Sequence, residues 1–284
     1  MNPGDAALIE YNDISDTGYT QSDGALSQMM VGQQPGAEIR YNWLHDTIKY
    51  GARFDGNGLG NNGLMHHNVL WNTGKALMVK GFNHSVYHNT AFDSSNGNDI
   101  LIMIAQGGNE GTQTINNAAN RIAGHRSGTY SAYPVPGTYS NNWNGYVTGG
   151  DVKDELIDPL GTLTGTRDFR PKAGSALIDA GSVVPGVTGS YLGSAPDIGA
   201  YEAGAAHWVP GVTWDVSAKN GTFVPPGAEA EASSGGSASG GTSSGLVLGL
   251  GIGGGAVGGL VLLAAGFVGV KWMRGRKSAY VGPA

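Results

Sequence analysis

The sequence predicts an all-β solenoid, in which the chain winds round repeatedly and each coil stacks on the one before. Three observations support this prediction. A short motif centred on Asn recurs through the first 150 residues. The apolar segments between turn residues are only four to seven residues long, which is too short for helices. The chain also contains 50 Gly, which alternate with apolar and aromatic positions as expected for many tight turns.

The repeated motif places one Asn between two apolar positions, as in the segment IRYNWL. The Asn residues of its copies are spaced by 21 to 30 residues and are Asn12, Asn42, Asn68, Asn89, Asn117 and Asn142. Such long and irregular steps are typical of coils that carry loops of different length. We expect each Asn to turn the corner of its coil in a left-handed conformation, and its amide to hydrogen-bond with the Asn of the neighbouring coils.

Residues 1–150 resemble the right-handed parallel β-helix family, the broad group that includes pectate-lyase-like and alginate-lyase-like proteins. The resemblance is carried by IRYNWL, MHHNVL and VYHNTA, and by the paired segments GARFDG and KALMVKG. It implies a right-handed parallel β-helix. That architecture hosts lyases, hydrolases, epimerases and non-catalytic adhesins, so it does not by itself imply an activity. Because the first coil begins at once and no signal peptide is visible, we expect the β-helix to be N-terminally incomplete.

Residues 151–204 have a different pattern, with DFRP, IDAG and DIGAYE as its clearest segments. They resemble the terminal module of many bacterial-type β-helices, often called the choice-of-anchor Q domain. Ala176 stands where that module usually has Pro. The resemblance implies a terminal coil and a closing module that covers an open strand edge, followed by a surface-anchoring signal.

The remaining chain predicts a membrane anchor. The segment 205–245 has two parts. Residues 205–227 show no pattern that we can assign, and residues 228–245 form a Gly- and Ser-rich linker. Residues 246–270 carry no charge, and at ~1.5 Å per residue this stretch spans ~37 Å, enough to cross the ~30 Å hydrocarbon core. Gly251, Gly255 and Gly259 either form a helix–helix dimer face or reflect the general abundance of Gly in membrane helices.

The basic tail, residues 271–284, predicts the orientation of this anchor. Its four basic residues are expected to stay cytoplasmic, which places the body in an extracellular or lumenal compartment and makes the protein single-pass. Without these four charges the net charge is −10 instead of −6, which argues against nucleic acid as a partner. The chain has no Cys, which excludes disulfides and thiolate metal sites.

Candidate site residues lie in the coils between residues 45 and 88. If Gly56 and Gly81 occupy equal positions in adjacent coils, Asp55 lies beside Lys80. Strand alternation then places Arg53, Asp55 and Lys80 on one outer face, with Phe54 pointing the opposite way. Five of the seven His also lie in this region: His45, His66, His67, His84 and His88. His66 and His67 are expected to face apart and not to share a metal ion.

If the protein is an enzyme, the lyases of this family suggest β-elimination on an acidic glycan, with Lys or Arg as the base and often with Ca²⁺ held by carboxylates. On this hypothesis Lys80, or a His such as His66 or His88, removes the proton. Arg53 and His84 bind the sugar carboxylate. Asp55 orients Lys80 or holds Ca²⁺.

Two other readings of the same residues stay open. A hydrolase needs two neighbouring carboxylic acids, for which Asp46, Asp55 and Asp93 are the candidates. Alternatively, Asp55 and Lys80 form a structural ion pair between coils. The sequence therefore predicts a membrane-anchored protein that binds or processes polysaccharide, or a non-catalytic surface or adhesion protein in which the solenoid is a rigid spacer. It does not decide whether the protein is an enzyme.

Overall fold

A computed structural model describes residues 6–20, 23–29, 36–55, 61–104, 108–126, 134–163 and 165–211. These residues fall within one compact unit, Met1–Gly235. Within these ranges no helix is long and apolar enough to span a membrane. The predicted linker, membrane helix and basic tail, including Gly251, Gly255 and Gly259, lie outside the described residues.

The first sheet contains six parallel strands, each contributed by a successive pass of the chain. In spatial order they are β1 (Leu8–Glu10), β4 (Glu38–Arg40), β6 (Leu64–His66), β8 (Ser85–Tyr87), β11 (Gln113–Ile115) and β14 (Thr138–Ser140). We number the coils one to six by these strands.

The second sheet contains nine strands and bends along its length. Its first half follows the Asn corner and holds β2 (Asp13–Ile14), the start of β5 (Trp43–Asp55), the start of β7 (Val69–Lys80), β9 (Thr90–Phe92), β12 (Ala118–Ala119) and β15 (Trp143–Asn144). Its second half holds β3 (Ala25–Met29), the ends of β5 and β7, β10 (Ile100–Ile102) and β13 (Ile122–Ala123).

Every strand pair of these two sheets is parallel, and each strand pairs with its counterpart in the next coil. Alternate residues point inward and stack in rows, such as Ile39 on Met65 and Phe54 on Val79. These inward side chains are fully buried and form one continuous core. The prediction of a parallel β-helix is therefore confirmed, while its right-handed sense stays a prediction.

The predicted Asn ladder is present in all six coils. From Asn42 onwards, the Oδ1 atom of each Asn accepts hydrogen bonds from the backbone N–H and the Nδ2 group of the Asn one coil earlier. Asn68 donates in this way to Asn89 Oδ1 at 3.1 and 3.0 Å, and the same pairing runs from Asn12 to Asn142. Asn42, Asn68, Asn89 and Asn117 are almost completely buried. The ladder thus satisfies buried polar groups at one corner of the solenoid.

The left-handed residue at this corner is not the Asn, so that part of the prediction is wrong. The residue before each Asn has the positive φ, and these residues are Tyr11, Tyr41, His67, His88, Asn116 and Asn141. Because the chain turns at the residue before the Asn, the Asn side chain points along the solenoid to the Asn of the neighbouring coils. The aromatic rings of the positive-φ residues also stack between coils, with centroids 5.1 Å apart for Tyr11 and Tyr41 and 4.7 Å apart for His67 and His88.

The chain after β15 forms a short helix α1 (Gly145–Thr148), a 3-10 helix (Val152–Glu155) and an antiparallel pair, β16 (Leu156–Asp158) and β17 (Asp168–Pro171). Buried residues of this module, such as Phe169 and Tyr201, pack on outward-facing side chains of the first half of the second sheet, such as Trp43 and Phe92. The described contacts thus place the module along one side of the coils, a position that the sequence analysis did not predict. Closure of the last coil by this module stays a prediction.

Candidate functional site

The predicted register between β5 and β7 is confirmed at the candidate site. Arg53 pairs with Met78 and Asp55 with Lys80. Phe54 is fully buried in the core, so Arg53 and Asp55 lie on the opposite, outer face of the second half of the sheet.

Arg53, Asp55 and Lys80 form one closed ion-pair network. Lys80 Nζ lies 2.5 Å from Asp55 Oδ1, and Arg53 Nη2 lies 3.2 Å from Asp55 Oδ2. Arg53 also donates to Asp23 at 2.8 Å and to Gln28 at 2.6 Å. Arg53 and Lys80 are both buried. Two cations therefore face two carboxylates, and Arg53 has little surface left for a sugar carboxylate.

Asp55 does not fit the Ca²⁺ role predicted for it, because each of its two oxygens already faces a cation. Among the residues that the structure describes, no group of three or more His, Asp or Glu side chains is arranged to hold a metal ion. A requirement for Ca²⁺ at some other position stays a prediction.

His84 lies beneath this network and not on the surface. Its ring is completely buried and stacks on Phe54 with centroids 4.7 Å apart. His84 Nδ1 accepts from the Gly63 backbone N–H, and Nε2 lies 2.9 Å from the carbonyl oxygen of Lys80. In this position the ring supports the strand that carries Lys80, and it presents no surface to a substrate.

His66 and His88 lie in other parts of the solenoid. His66 is on the outer face of the first sheet, where Nε2 contacts Glu38 at 2.6 Å. His88 is buried at the Asn corner against Asn116 and Thr188, and burial lowers its pKa to about 4. The structure therefore does not bring either ring to Lys80.

His66 and His67 do not face apart as predicted. Their Nδ1 atoms lie 2.7 Å apart, because the positive φ of His67 turns its ring back towards its neighbour. The prediction assumed that both residues belong to one strand, whereas β6 ends at His66.

A cleft of about 360 Å³ lies beside the ion-pair network, where β5 and β7 bend between the two halves of the second sheet. We call it the basic cleft, and it is lined by Asp23, Gly24, Ile48, Lys49, Tyr50, Gly74, Lys75 and Asn96. Gly74 is required at the bend, because a Cβ there would lie 2.4 Å from the carbonyl oxygen of Ile48. Tyr50 pairs with Lys75 in the strand register, so both are held by regular structure.

Lys75 differs from Lys80 in its partners. The Lys75 ammonium donates to the backbone carbonyl oxygens of Asn96 and Arg126, and it forms no ion pair with any carboxylate among the described residues. Burial lowers the pKa of Lys75, and the nearby Arg126 guanidinium lowers it further. A lysine with a lowered pKa in a cleft is a candidate for a catalytic base.

A second cleft of about 330 Å³ runs beside the first and shares Ile48 with it. We call it the acidic cleft, and it is lined by Asp16, Tyr19, Asp46, Thr47, Ile48, Asn72, Thr73 and Ser95. Tyr19 Oη donates to Asp16 Oδ1 at 3.3 Å and to the carbonyl oxygen of Asp46 at 3.2 Å. Partial burial raises the pKa of Tyr19, and the charges of Asp16 and Asp46 raise it further.

The three acids named for a hydrolase lie in three separate settings. Asp46 lines the acidic cleft, Asp55 belongs to the ion-pair network, and Asp93 lines a third cleft of about 410 Å³ together with Asp99. Burial raises the pKa of Asp99 to about 7. Its two oxygens accept from the backbone N–H groups of Ser94 and Arg121, which ties coil four to coil five. These contacts give Asp99 a structural role.

Sequence reasoning missed Lys49, Tyr50 and Lys75. The segments GARFDG and KALMVKG predicted a site at Arg53, Asp55 and Lys80. The bend that forms the basic cleft lies a few residues earlier in the same two strands. The signal that could have found it is the spacing of the same two strands: if Asp55 pairs with Lys80, then Tyr50 pairs with Lys75.

No protein-family model matches the chain, and no curated protein matches it. The resemblance of residues 151–204 to a choice-of-anchor Q module therefore stays a prediction. Among solved structures, the chain is similar to the crystal structure of pectate lyase Pel9A, with 20% sequence identity and a TM-score of 0.50. The similarity covers 72% of this chain and 61% of the length of that one. At this identity the likeness supports the β-helix fold and does not extend to an activity.

Proposed function

We propose that this protein binds acidic polysaccharide at the basic cleft and cleaves it by β-elimination. The observation that carries the proposal is Lys75, a buried lysine that lines a cleft and has no carboxylate partner among the described residues. The size of the cleft, about 360 Å³, lies in the range of small-ligand sites.

β-Elimination removes a proton from one carbon of the sugar and breaks the bond from the neighbouring carbon to the glycosidic oxygen. A base removes the proton at C5 of a uronate, the electrons form a double bond between C4 and C5, and the C4–oxygen bond breaks. The leaving oxygen then takes up a proton. The residues that line the basic cleft offer each of these functions: Lys75 as the base, Lys49 as the cation beside the sugar carboxylate, and Tyr50 as the proton donor.

The surroundings favour Lys75 over Lys80 as the base. Lys80 Nζ is held by Asp55 Oδ1 in an ion pair, so it is not free to approach a substrate. Burial lowers the pKa of Lys75 and Arg126 lowers it further, which favours its neutral amine. The role of a base, predicted for Lys80 from the sequence, therefore passes to Lys75 in this proposal.

The Arg53 network supports the basic cleft from the side. Asp23 lines the cleft and is exposed, and Arg53 Nη1 holds its carboxylate at 2.8 Å. The ring of Tyr50 lies under the Arg53 guanidinium, 5.2 Å from the ring centroid. Arg53 therefore acts as a positioning residue for Asp23 and Tyr50.

The proposal is tested with the full chain, purified in mild detergent, on a panel of uronate polysaccharides with and without Ca²⁺. The unsaturated product is detected by its ultraviolet absorbance, and binding is measured in parallel. We expect product formation that Lys75→Met abolishes and Lys80→Met retains. Loss of activity in Lys80→Met alone, with both variants folded, contradicts the assignment of the base. Binding without product leaves the non-catalytic adhesion role that the sequence also predicts.

We also propose that residues 246–270 anchor the protein in a membrane with the β-helix on the extracellular or lumenal side. The uncharged 25-residue stretch and the four basic residues after it support this proposal. Protease treatment of intact cells tests it, because a tag at the C-terminus should be protected and the β-helix should be accessible. Protection of the β-helix would contradict the orientation.

A further inference from the structure

The basic cleft and the acidic cleft lie side by side and run in the same direction. Each is lined by residues from coils one to four: Asp23 to Asn96 line the basic cleft, and Asp16 to Ser95 line the acidic cleft. Coils are ~4.8 Å apart, so each cleft extends for roughly 14 Å along the solenoid axis. Ile48 lines both clefts and is 56% exposed, so it forms the ridge between them.

The two clefts carry opposite charge. The basic cleft holds the cation of Lys49 beside the amine of Lys75, and the charge of Asp23 in it is balanced by Arg53. Asp16 and Asp46 line the other, and no Lys or Arg is among its described lining residues. Burial is the largest cause of both the lowered pKa of Lys75 and the raised pKa of Tyr19. Among the neighbouring charges, Arg126 and Arg121 lower the pKa of Lys75 against Asp99, and Asp16 and Asp46 raise the pKa of Tyr19.

Two cationic groups approach Asp46 from outside the acidic cleft. His45 Nδ1 contacts Asp46 Oδ2 at 2.6 Å, and Asn72, which lines the cleft, donates to Asp46 Oδ1. Burial raises the pKa of Asp46, but the hydrogen bonds from Asn72 and His45 and the charges of His45 and Arg167 outweigh it, so the pKa is lowered. Neither His45 nor Arg167 is among the lining residues of the cleft. Asp16 is hydrogen-bonded only to the hydroxyl groups of Ser15 and Tyr19 among the described side chains. The negative charge of this cleft is therefore only partly balanced.

A glycan that lies along the axis over Ile48 presents one edge to each cleft. In an extended chain of equatorially linked pyranoses, successive sugars are turned by roughly half a turn, so their C5 substituents alternate between the two edges. A homopolymer of uronate places every second carboxylate against Asp16 and Asp46. A polymer in which uronate alternates with an uncharged sugar places all of its carboxylates beside Lys49 and Lys75.

We propose that the two clefts select a glycan in which uronate residues alternate with uncharged residues, and that Asp16 and Asp46 determine this selectivity. The proposal rests on the proposed function of the basic cleft and specifies its substrate class. Repulsion by Asp16 and Asp46 rejects the homopolymer, and the same carboxylates accept hydrogen bonds from hydroxyl or amide groups of an uncharged sugar.

The variant for the test is Asp16→Asn/Asp46→Asn. Both positions have a positive φ, which Asn tolerates, and Asn72 occupies the same corner in coil three with φ 47°. Asp93→Asn is the matched control, because Asp93 occupies this corner in coil four but lines the third cleft. Circular dichroism and thermal unfolding verify that each variant is folded.

The experiment measures the affinity of the full chain for two oligosaccharides of equal length. One is a β-1,4-linked glucuronate homopolymer, and the other is an unsulfated chain of alternating glucuronate and N-acetylglucosamine. We expect the wild-type chain to prefer the alternating chain by about tenfold or more, since each carboxylate contact of like charge costs about fivefold. The double variant should bind the homopolymer about tenfold more tightly than the wild type, and Asp93→Asn should not.

The outcomes separate this inference from the proposed function. Equal or tighter binding of the homopolymer by the wild-type chain overturns the inference, as does an unchanged preference in the double variant. In both cases binding itself shows that the chain takes acidic glycans, so the proposed function is not overturned with the selectivity. If the wild-type chain binds neither oligosaccharide, the proposed function fails and the selectivity fails with it.

Discussion

Lys80 in coil three donates to Asp55 in coil two, and the same carboxylate also faces Arg53. Lys80 Nζ faces Oδ1 of the carboxylate and Arg53 Nη2 faces Oδ2. Removal of Lys80 and removal of the Asp55 carboxylate are therefore expected to differ in their effect on stability. Without Lys80, Asp55 still faces Arg53. Without the carboxylate, Lys80 stays buried with no direct ion pair among the described residues, and the charge of Asp23 is the one that still acts on it.

We predict that Asp55→Asn lowers the free energy of unfolding by ~3 kcal/mol and that Lys80→Met lowers it by less than ~1.5 kcal/mol. The larger value is the cost of leaving a buried charge without its partner. Urea denaturation of the two single variants and the double variant measures both effects and their coupling. Equal losses in the two single variants would contradict the predicted difference between removing Asp55 and removing Lys80.

The Asn ladder predicts a gradient of stability along the solenoid. Asn89 is fully buried, donates to Asn117 Oδ1 and to two backbone carbonyls, and accepts from Asn68. Asn12 lies in the first coil. It donates to Asn42 and Glu10, and among the described residues its side chain accepts no hydrogen bond.

We expect Asn89→Ala to cost ~3 kcal/mol or more in the free energy of unfolding, because several buried donors and acceptors lose their partners. Asn12→Ala, the matched control at the end of the ladder, should cost ~1 kcal/mol. Thermal and urea unfolding compare the two. A cost at Asn12 as large as that at Asn89 would argue that the ladder does not act through buried hydrogen bonds.

The Trp43 indole links coil two to the C-terminal module, 158 residues away. Trp43 Nε1 donates to Tyr201 Oη at 3.1 Å, and Tyr201 Oη donates to the carbonyl oxygen of Trp208 at 2.7 Å. Further along, the Gly211 backbone N–H donates to the carbonyl oxygen of Tyr11 in coil one. The module thereby returns along the side of the coils towards the start of the solenoid.

We predict that Tyr201→Phe lowers the free energy of unfolding by ~1–3 kcal/mol, since it leaves two buried polar groups unpaired. Hydrogen exchange should accelerate in β2 and in the start of β5. Tyr191→Phe is the control, because Tyr191 is 39% exposed and its change should be within ~0.5 kcal/mol. Unaltered exchange in β2 would show that the module does not stabilise the first coil.

The contacts that the sequence could predict are those between copies of a repeated motif. Asn68 and Asn89 repeat a local motif, so the ladder and the register of Asp55 with Lys80 were visible without a structure. The contact of Trp43 with Tyr201 joins segments that share no repeat, and no local pattern predicts it. The basic cleft was missed because the bend at Gly74 falls within a continuous strand and carries no regular spacing of its own.

His45 provides a prediction of pH dependence. Its Nε2 lies 2.7 Å from Asp13 Oδ1, its Nδ1 lies 2.6 Å from Asp46 Oδ2, and its ring stacks on Trp71 with centroids 4.0 Å apart. Burial alone would lower the pKa of His45, but the hydrogen bonds to Asp13 and Asp46 outweigh it and the pKa is raised. Since both ring nitrogens face carboxylates, the imidazolium is the form that this arrangement stabilises.

A folded-state pKa above that of the unfolded chain contributes stability that is complete below about pH 6.5 and is lost as the pH rises through the folded-state value. We therefore expect the contribution of His45 to the free energy of unfolding to fall as the pH rises above about pH 6.5, so that the wild-type chain loses stability relative to His45→Gln over this range. His66, His67, His88 and His207, whose pKa burial lowers, act in the opposite direction and are common to both proteins. Asp99 and Glu202, whose pKa burial raises to about 7, also lower stability as the pH rises up to that value. The difference between the wild-type and His45→Gln curves, measured by urea denaturation across this range, isolates His45. Parallel curves would mean that His45 has the same pKa in the folded and unfolded chain, and that its contacts with Asp13 and Asp46 do not hold the imidazolium.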